Sequence, residues 1–162
     1  NLDWGSSWFE WDELRKVRHR LNDFHRFFNQ FNYDRVNINM EHYREDETYK
    51  IIGICMEVHR ILGPGLLEIV YKDALEIEFR ENNIPYEREK EFAIEYKGKI
   101  LPHRFYADFI VNGDIILEVK AVKEFSNEHI AQVINYLKLA DSEIGLMVNF
   151  QTKSLQYKRY VL

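Results

Sequence analysis

The stretch YADFIVNGDIILEVKA, residues 106–121, decides the fold. Two runs rich in β-branched and aromatic residues flank an Asn-Gly turn at residues 112–113, which is typical of a β-hairpin. Within these apolar runs stand three charged residues, Asp108 on the first strand and Glu118 and Lys120 on the second. Because an isolated charge is costly to bury, we expect these side chains to meet one another or a ligand.

The length of the hairpin loop determines whether the two acids share a face of the sheet. With a two-residue loop, Asp108 lies opposite Leu117 and Glu118 points to the other face. With a three-residue loop, or with a bulge, Asp108 lies opposite Glu118. A shared site therefore predicts an odd loop or a bulge. The alternative is that both acids face solvent and that Lys120 forms an ordinary cross-strand ion pair, worth about 0.2–1 kcal/mol.

Two helical runs precede the hairpin. TYKIIGICMEVHRIL and LLEIVYKDALEIEFRENN are separated by a Gly-Pro-Gly stop signal at residues 63–65. The second run keeps Leu67, Val70, Leu75 and Phe79 apolar while its charges face out, so we expect these four side chains to face the core.

The remaining elements complete an α/β pattern. A strand pair meets at a Lys-Gly turn, a helix is capped by Ser126, a nearly all-apolar strand follows, and the tail predicts an edge strand or turn. The runs are, in order, 85–96, 99–111, 114–122, 126–141, 143–150 and 154–162. The order ααβββαβ predicts a small mixed β-sheet flanked by helices.

Residues 1–39 differ from the rest of the chain. Between Trp8 and Phe31, aromatic and apolar residues recur three, four or seven positions apart, and Ser7 with Glu10 matches a capping box. We predict an amphipathic helix followed by a linker, and a main domain over 40–162. The front segment is either native or a non-native extension, and, if it is native, its apolar stripe favours a homodimer or a protein partner.

Composition limits the class of protein. The 162 residues are 46% hydrophobic and 30% charged, which fits one domain with an appendage. The net charge of −5 argues against broad coating of nucleic acid without excluding a local basic groove. No run of about 18 apolar residues occurs, so we expect no membrane span. The single Cys55 excludes a disulfide framework and favours a reducing, cytoplasmic setting.

The acids of the hairpin are of the type that Mg²⁺ prefers. Magnesium takes one or two carboxylates, with water and substrate phosphate completing its shell, and Asp108 and Glu118 would supply them. Lys120 would lie beside them, where an ammonium can orient a water molecule or stabilise charge on a phosphate.

Three further stretches carry polar residues at regular spacing. Gly65, Glu68 and Tyr71 follow G-x-x-E-x-x-Y, which sets Glu68 and Tyr71 on one helical face. Gln132 and Tyr136 are four apart on another helix, and His59 stands just before the Gly-Pro-Gly break. Each also has an ordinary alternative: core packing for Tyr71, a structural role for His59, and interface polar groups for Gln132 and Tyr136.

The chain resembles the GxxExxY protein family of the PD-(D/E)XK nuclease-like superfamily from about residue 49 to residue 162. Four stretches carry the resemblance: VHRILGPGLLEIVYKDAL, ADFIV, IILEVKAV and AQVINYL. The resemblance implies a restriction-endonuclease-like core. It further implies catalytic roles for Asp108, Glu118, Lys120, Glu68, Gln132 and Tyr136, and metal binding by Asp108, Glu118, Glu68 and His59, with His59 as the loosest match.

The resemblance implies a nuclease that uses Mg²⁺ or Mn²⁺ to hydrolyse phosphodiester bonds in DNA. Two alternatives stay open: a catalytically silent nuclease-fold module that binds nucleic acid or a protein partner, and a hydrolase of small phosphodiesters or nucleotides. Fold by itself does not choose among them.

Overall fold

The computed structural model describes residues 44–162, which contain three helices and five strands. The helix predicted between Trp8 and Phe31 and its linker lie outside the described residues. The elements are α1 (Glu45–Leu62), α2 (Glu68–Glu81), β1 (Tyr86–Tyr96), β2 (Lys99–Val111), β3 (Ile115–Lys120), α3 (Asn127–Ala140), β4 (Ile144–Asn149) and β5 (Gln156–Val161). This is the predicted order, with the tail as a fifth strand. No helix within residues 44–162 is long and apolar enough to cross a lipid bilayer.

The five strands form one mixed sheet in the order β1-β2-β3-β4-β5. Strands β3 and β4 are parallel, and the other neighbouring pairs are antiparallel. Parallel neighbours need a crossover connection, and α3 supplies it. The predicted mixed α/β fold, which is restriction-endonuclease-like, is therefore confirmed.

Side chains of β3 alternate between two layers. Leu117 and Val119 join the hydrophobic cluster that includes residues of α1 and α2. Glu118 and Lys120 point to the opposite face of the sheet, the face against which α3 packs. Both residues are buried, so this face of the sheet carries charged side chains that are shielded from solvent.

The inward face of α2 differs from the predicted one. Leu75 and Phe79 are buried as expected, but Leu67 is 74% exposed and Val70 37% exposed. Leu67 stands at the N-cap, before the first helical residue, and the buried stripe runs instead through Tyr71, at spacings of four. Because Tyr71 takes the innermost position, residues one position away from it turn outwards.

Tyr71 stabilises the turn between α1 and α2. Its ring is buried, in agreement with core packing, the alternative to a functional role. Its hydroxyl donates to the carbonyl of Gly63 at 2.7 Å and accepts from the amide of Leu66 at 3.1 Å. Its ring stacks on Phe150 with centroids 4.4 Å apart. The turn is thereby held at the point where α2 begins with Glu68.

Candidate active site

The hairpin loop between β2 and β3 has three residues. Val111 pairs with Ile115, which leaves 112–114 as the loop, so the odd length required for a shared site is confirmed. The register continues to Phe109 opposite Leu117, and the next position along the two strands brings Asp108 to Glu118.

The start of α1 holds this loop. Arg44 donates to Asp114 at 2.6 Å, and the side-chain amide of Asn112 donates to Glu47 at 2.9 Å. The hydrogen bond from Arg44 to Glu47 is also the main reason that the pKa of Glu47 is lowered. The loop that sets the register therefore has two charged partners at the start of α1, the N-cap residue Arg44 and Glu47.

The main-chain pairing of β2 with β3 ends at Phe109 and Leu117. Beyond that pair, the side chains of the two acids bind the main chain of the neighbouring strand. The amide of Asp108 donates to Oε1 of Glu118 at 3.2 Å, and the amide of Val119 donates to Oδ2 of Asp108 at 2.8 Å. Each carboxylate thus binds a main-chain N–H of the opposite strand. This exchange fixes both acids and satisfies two amides that would otherwise lack partners.

Lys120 completes the group. Its Nζ donates to Oε2 of Glu118 at 3.2 Å, and the two side chains are only 10% and 1% exposed. The pKa of Glu118 is raised to about 8, mainly because the group is buried and also because of the neighbouring charge of Asp108, while Lys120 offsets part of the effect. Added positive charge is stabilising beside these two carboxylates, because Glu118 is buried and its pKa is raised.

Glu68 reaches the same edge of β3 from α2. Its Oε1 accepts a hydrogen bond from the amide of Ala121 at 3.1 Å. Val119 and Ala121 are two residues apart, so their amides leave the same side of the chain, about 7 Å from one another. The carboxylates of Asp108 and Glu68 therefore follow one another along a single edge.

Gln132 and Tyr136 lie together on α3. Nε2 of Gln132 donates to the hydroxyl of Tyr136 at 3.0 Å, and Tyr136 is 4% exposed. Burial is the main cause that raises the pKa of Tyr136, and the charges of Glu118 and Asp108 add to it. The phenol of Tyr136 therefore lies within electrostatic range of both acids.

His59 is placed differently. Its Nε2 donates to the carbonyl of Thr152 at 2.9 Å, and its ring lies 6.1 Å from that of Phe150. Within residues 44–162, no hydrogen bond joins His59 to Asp108, Glu118 or Glu68. These contacts give the ring a structural partner and lend no support to its predicted role as a metal ligand.

Lys72 belongs to the site and was missed in the sequence. Its Nζ donates to Oδ1 of Asp108 at 2.9 Å and to Oε1 of Glu89 at 2.5 Å. Burial lowers the pKa of Lys72, but the two hydrogen bonds outweigh burial, so the pKa is raised and the group stays charged. The signal was its spacing, since Lys72 is four residues after Glu68 and shares its helical face.

Asn149 is the second missed residue. It is fully buried, its Oδ1 accepts from the amides of Val122 and Gln151 at 3.1 Å, and its Nδ2 donates to the carbonyl of Val122 at 2.7 Å. It ties the segment that follows Lys120 to the end of β4. The signal was a lone amide inside the apolar run EIGLMVNF.

The oxygen atoms present fit a hard divalent cation. Asp108 and Glu118 form an adjacent carboxylate pair, and Mg²⁺ usually takes one or two carboxylates while water and substrate supply the rest. Within residues 44–162, no group of three or more His, Cys, Asp or Glu side chains is arranged so that it could hold a metal ion. The fit therefore rests on the pair, with Glu68 held two residues further along the chain at the amide of Ala121.

A mixed sheet between helices, with two acids and a lysine at one strand end, defines a nuclease-like α/β domain. The family model of the PD-(D/E)XK nuclease superfamily matches residues 45–160, and this chain belongs to that superfamily. No curated protein matches the chain. Among solved structures, one titled "Crystal structure of SSO0001" is similar at a TM-score of 0.48 and 22% identity, over 72% of this chain and 59% of that chain. The similarity thus spans less than two thirds of that chain's length.

Proposed function

We propose that this chain is a metal-dependent nuclease that hydrolyses phosphodiester bonds in DNA. The observation that supports it best is the exchange of hydrogen bonds between Asp108 and Glu118, with Lys120 on the same carboxylate. Membership of a nuclease superfamily supports a nucleic-acid substrate. A site of this kind suits phosphoryl chemistry because its charged groups are already in position before substrate arrives.

Each residue of the site has a role in the proposal. Asp108 and Glu118, assisted by Glu68, would hold Mg²⁺ or Mn²⁺. When bound, such an ion polarises a phosphate oxygen and lowers the pKa of a water molecule. Lys120 donates a hydrogen bond to Glu118 from a buried position, and in the proposal it orients the attacking water or stabilises negative charge on the phosphate.

Gln132 and Tyr136 border the acids on the α3 side. Their hydrogen bond at 3.0 Å leaves Oε1 of Gln132 available to accept another donor. In the proposal they steady the site and approach the backbone of the nucleic acid.

The narrower family and the cellular setting belong to the same proposal. Gly65, Glu68 and Tyr71 carry the G-x-x-E-x-x-Y spacing, which supports membership of the GxxExxY family. The single cysteine, Cys55, is buried and free, which is consistent with the cytoplasm.

One alternative has a specific observation in its favour. Each acid already has a protein donor: Lys72 for Asp108, Lys120 for Glu118, and an amide for Glu68. Groups satisfied in this way, on a chain of net charge −5, would also suit a catalytically silent module that binds nucleic acid or a protein partner.

Cleavage assays distinguish the two. Supercoiled plasmid, linear duplex and single-stranded DNA are incubated with the protein in Mg²⁺, in Mn²⁺ or in chelator, beside Lys120→Ala. Lys99→Ala is the matched control, since Lys99 is an exposed lysine at the far end of β2. We expect cleavage only with a divalent ion, unchanged in the control and lowered by at least about 100-fold in Lys120→Ala.

The contrary results are equally defined. Cleavage by Lys120→Ala at the wild-type rate would remove the lysine from the mechanism. Absence of cleavage together with absence of Mn²⁺ binding by calorimetry would favour the silent module. Small phosphodiesters and nucleotides in the same series test whether the substrate is a polymer.

A further inference from the structure

The face of α2 that meets β3 matches the spacing of the β3 edge. Glu68 and Lys72 are one turn apart, about 6 Å along the helix axis. Glu68 binds the amide of Ala121, and Lys72 binds Asp108, which itself binds the amide of Val119. These two amides are about 7 Å apart, which is close to the spacing of Glu68 and Lys72 along the helix. One helical face can therefore place Lys72 at Asp108 and Glu68 at the amide of Ala121.

Lys72 occupies the oxygen of Asp108 that the main chain leaves open. Oδ2 of Asp108 accepts from the amide of Val119 at 2.8 Å, and Oδ1 accepts from Lys72 at 2.9 Å. Both side chains are largely buried, 12% exposed for Lys72 and 13% for Asp108. A cation that binds Oδ1 therefore competes with an ammonium that bulk water does not readily replace.

Glu89 offers that ammonium a second partner. Its side chain is 47% exposed, and Oε1 accepts from Lys72 at 2.5 Å. In the register of β1 with β2, Arg88 pairs with Phe109 and Lys90 with Ala107, so Glu89 falls opposite Asp108. Glu89 has a left-handed φ of 51°, an uncommon conformation for a residue within a strand.

We propose, on the basis of the proposed function, that Lys72 is a resident cation that competes with the divalent metal for Asp108. In this proposal Glu89 receives the ammonium when the metal binds, which lowers the cost of displacement. Lys72 and Glu89 thus set metal affinity in opposite directions, although neither is a metal ligand.

Calorimetric titration of the DNA-free protein with Mn²⁺ tests this. We expect Lys72→Met to tighten binding by about tenfold, because the competitor is gone. We expect Glu89→Gln to weaken it by about threefold, because Lys72 is then held by Asp108 alone. The double variant should bind Mn²⁺ with the same affinity as Lys72→Met alone. Lys72→Arg keeps the charge, so its affinity for Mn²⁺ should remain close to that of wild type.

A purely structural ion pair would behave differently. Removing either partner would then lower the midpoint of thermal unfolding, while the affinity for Mn²⁺ would stay the same or move in one direction for both variants. Opposite shifts in affinity, abolished in the double variant, support the proposal. If Lys72→Met does not fold, the largely exposed Glu89 decides: weaker binding in Glu89→Gln supports the proposal, and unchanged binding overturns it.

The outcomes separate this proposal from the proposed function. Equal affinities in wild type, Lys72→Met and Glu89→Gln, together with Mn²⁺-dependent DNA cleavage, would overturn the role of Lys72 and leave the nuclease standing. Binding by Lys72→Met but not by wild type would support the competitor. Absence of Mn²⁺ binding in both would overturn the competitor and the metal dependence alike.

Discussion

Asp108 and Glu118 are tied to each other's strands: the amide of Asp108 donates to Glu118 at 3.2 Å, and the amide next to Glu118 donates to Asp108 at 2.8 Å. The acids therefore do not depend on a ligand for their position. Side chains held in this way keep their geometry while the surroundings change, which is what a preorganised site requires.

The first prediction concerns Asp108. Asp108→Asn keeps the shape of the side chain and an oxygen for the amide of Val119, but it removes the charge that a divalent cation needs. We expect DNA cleavage in Mg²⁺ to fall by at least about 100-fold, with far-ultraviolet circular dichroism unchanged.

Asp73→Asn is the control for that variant. Asp73 is 61% exposed and pairs with Arg88 at the surface of α2, where an ion pair contributes little. Cleavage by Asp73→Asn should match wild type. Equal cleavage by Asp108→Asn would contradict the assignment of Asp108 to the metal.

The second prediction concerns the pH dependence of stability. Burial raises the pKa of Glu118 from 4.5 to about 8. Below about pH 4.5 both states carry the proton, whereas between about 4.5 and 8 only the folded state keeps it, so stability falls as the pH rises through this window. For the metal-free protein the slope is at most about 1.4 kcal/mol per pH unit.

Urea unfolding in chelator at pH 5.5, 6.5 and 7.5 measures this slope. Glu118→Gln cannot ionise, so the decline in unfolding free energy should be smaller than in wild type. Glu57→Gln is the control, since Glu57 lies on the exposed side of α1 beside Arg60 and its pKa is lowered. The same slope in wild type and Glu118→Gln would show that Glu118 is ionised in the folded state throughout.

The third prediction separates a structural tyrosine from a catalytic one. Tyr71→Phe removes the hydroxyl that serves Gly63 and Leu66, and leaves two polar groups with fewer partners. We expect the free energy of unfolding to fall by about 1–3 kcal/mol, measured by urea denaturation. Cleavage per folded molecule should fall far less than in Asp108→Asn.

Tyr106→Phe is its matched control. Tyr106 is 46% exposed, and its hydroxyl donates to Glu91 at 2.9 Å at the surface. Its removal should change the unfolding free energy by no more than about 0.5 kcal/mol. A loss of cleavage in Tyr71→Phe as large as in Asp108→Asn would instead place the phenol in the reaction.

Local rules predict the hairpin and state the condition under which its two acids share a face of the sheet. The side-chain period of two requires an odd loop if Asp108 and Glu118 are to share a face, and the loop has three residues. Helix signals were similarly local: Ser126 caps α3 and accepts from the amide of His129. These features depend on neighbours in sequence, so the sequence contains them.

The contacts made by Lys72 and Asn149 depend on how elements pack, and the sequence does not state that. Lys72 joins α2 to β1 and β2, and Asn149 joins the end of β4 to the segment after β3. The prediction that Leu67 is buried was wrong because hydrophobic periodicity does not say where a helix begins, and Leu67 lies at the N-cap.

The last prediction tests the close packing of α3 on the sheet, which positions Tyr136 and Gln132. A Cβ added at Gly145 would lie 2.7 Å from Cγ1 of Val133 and 3.2 Å from Cδ1 of Leu137. Val133 is β-branched and buried, so it cannot easily move aside. Gly145→Ala should therefore lower the free energy of unfolding by about 1–3 kcal/mol in urea.

Gly53→Ala provides the opposite result in the same assay. Gly53 lies within α1, and an added Cβ there meets nothing within 4 Å. Since alanine favours the helix over glycine, the unfolding free energy should rise by about 0.5–1 kcal/mol. The two substitutions add the same methyl group, so a difference in sign isolates the effect of packing. If Gly145→Ala is as stable as wild type, α3 can shift on the sheet, and the position of Tyr136 beside the acids is not fixed by this contact.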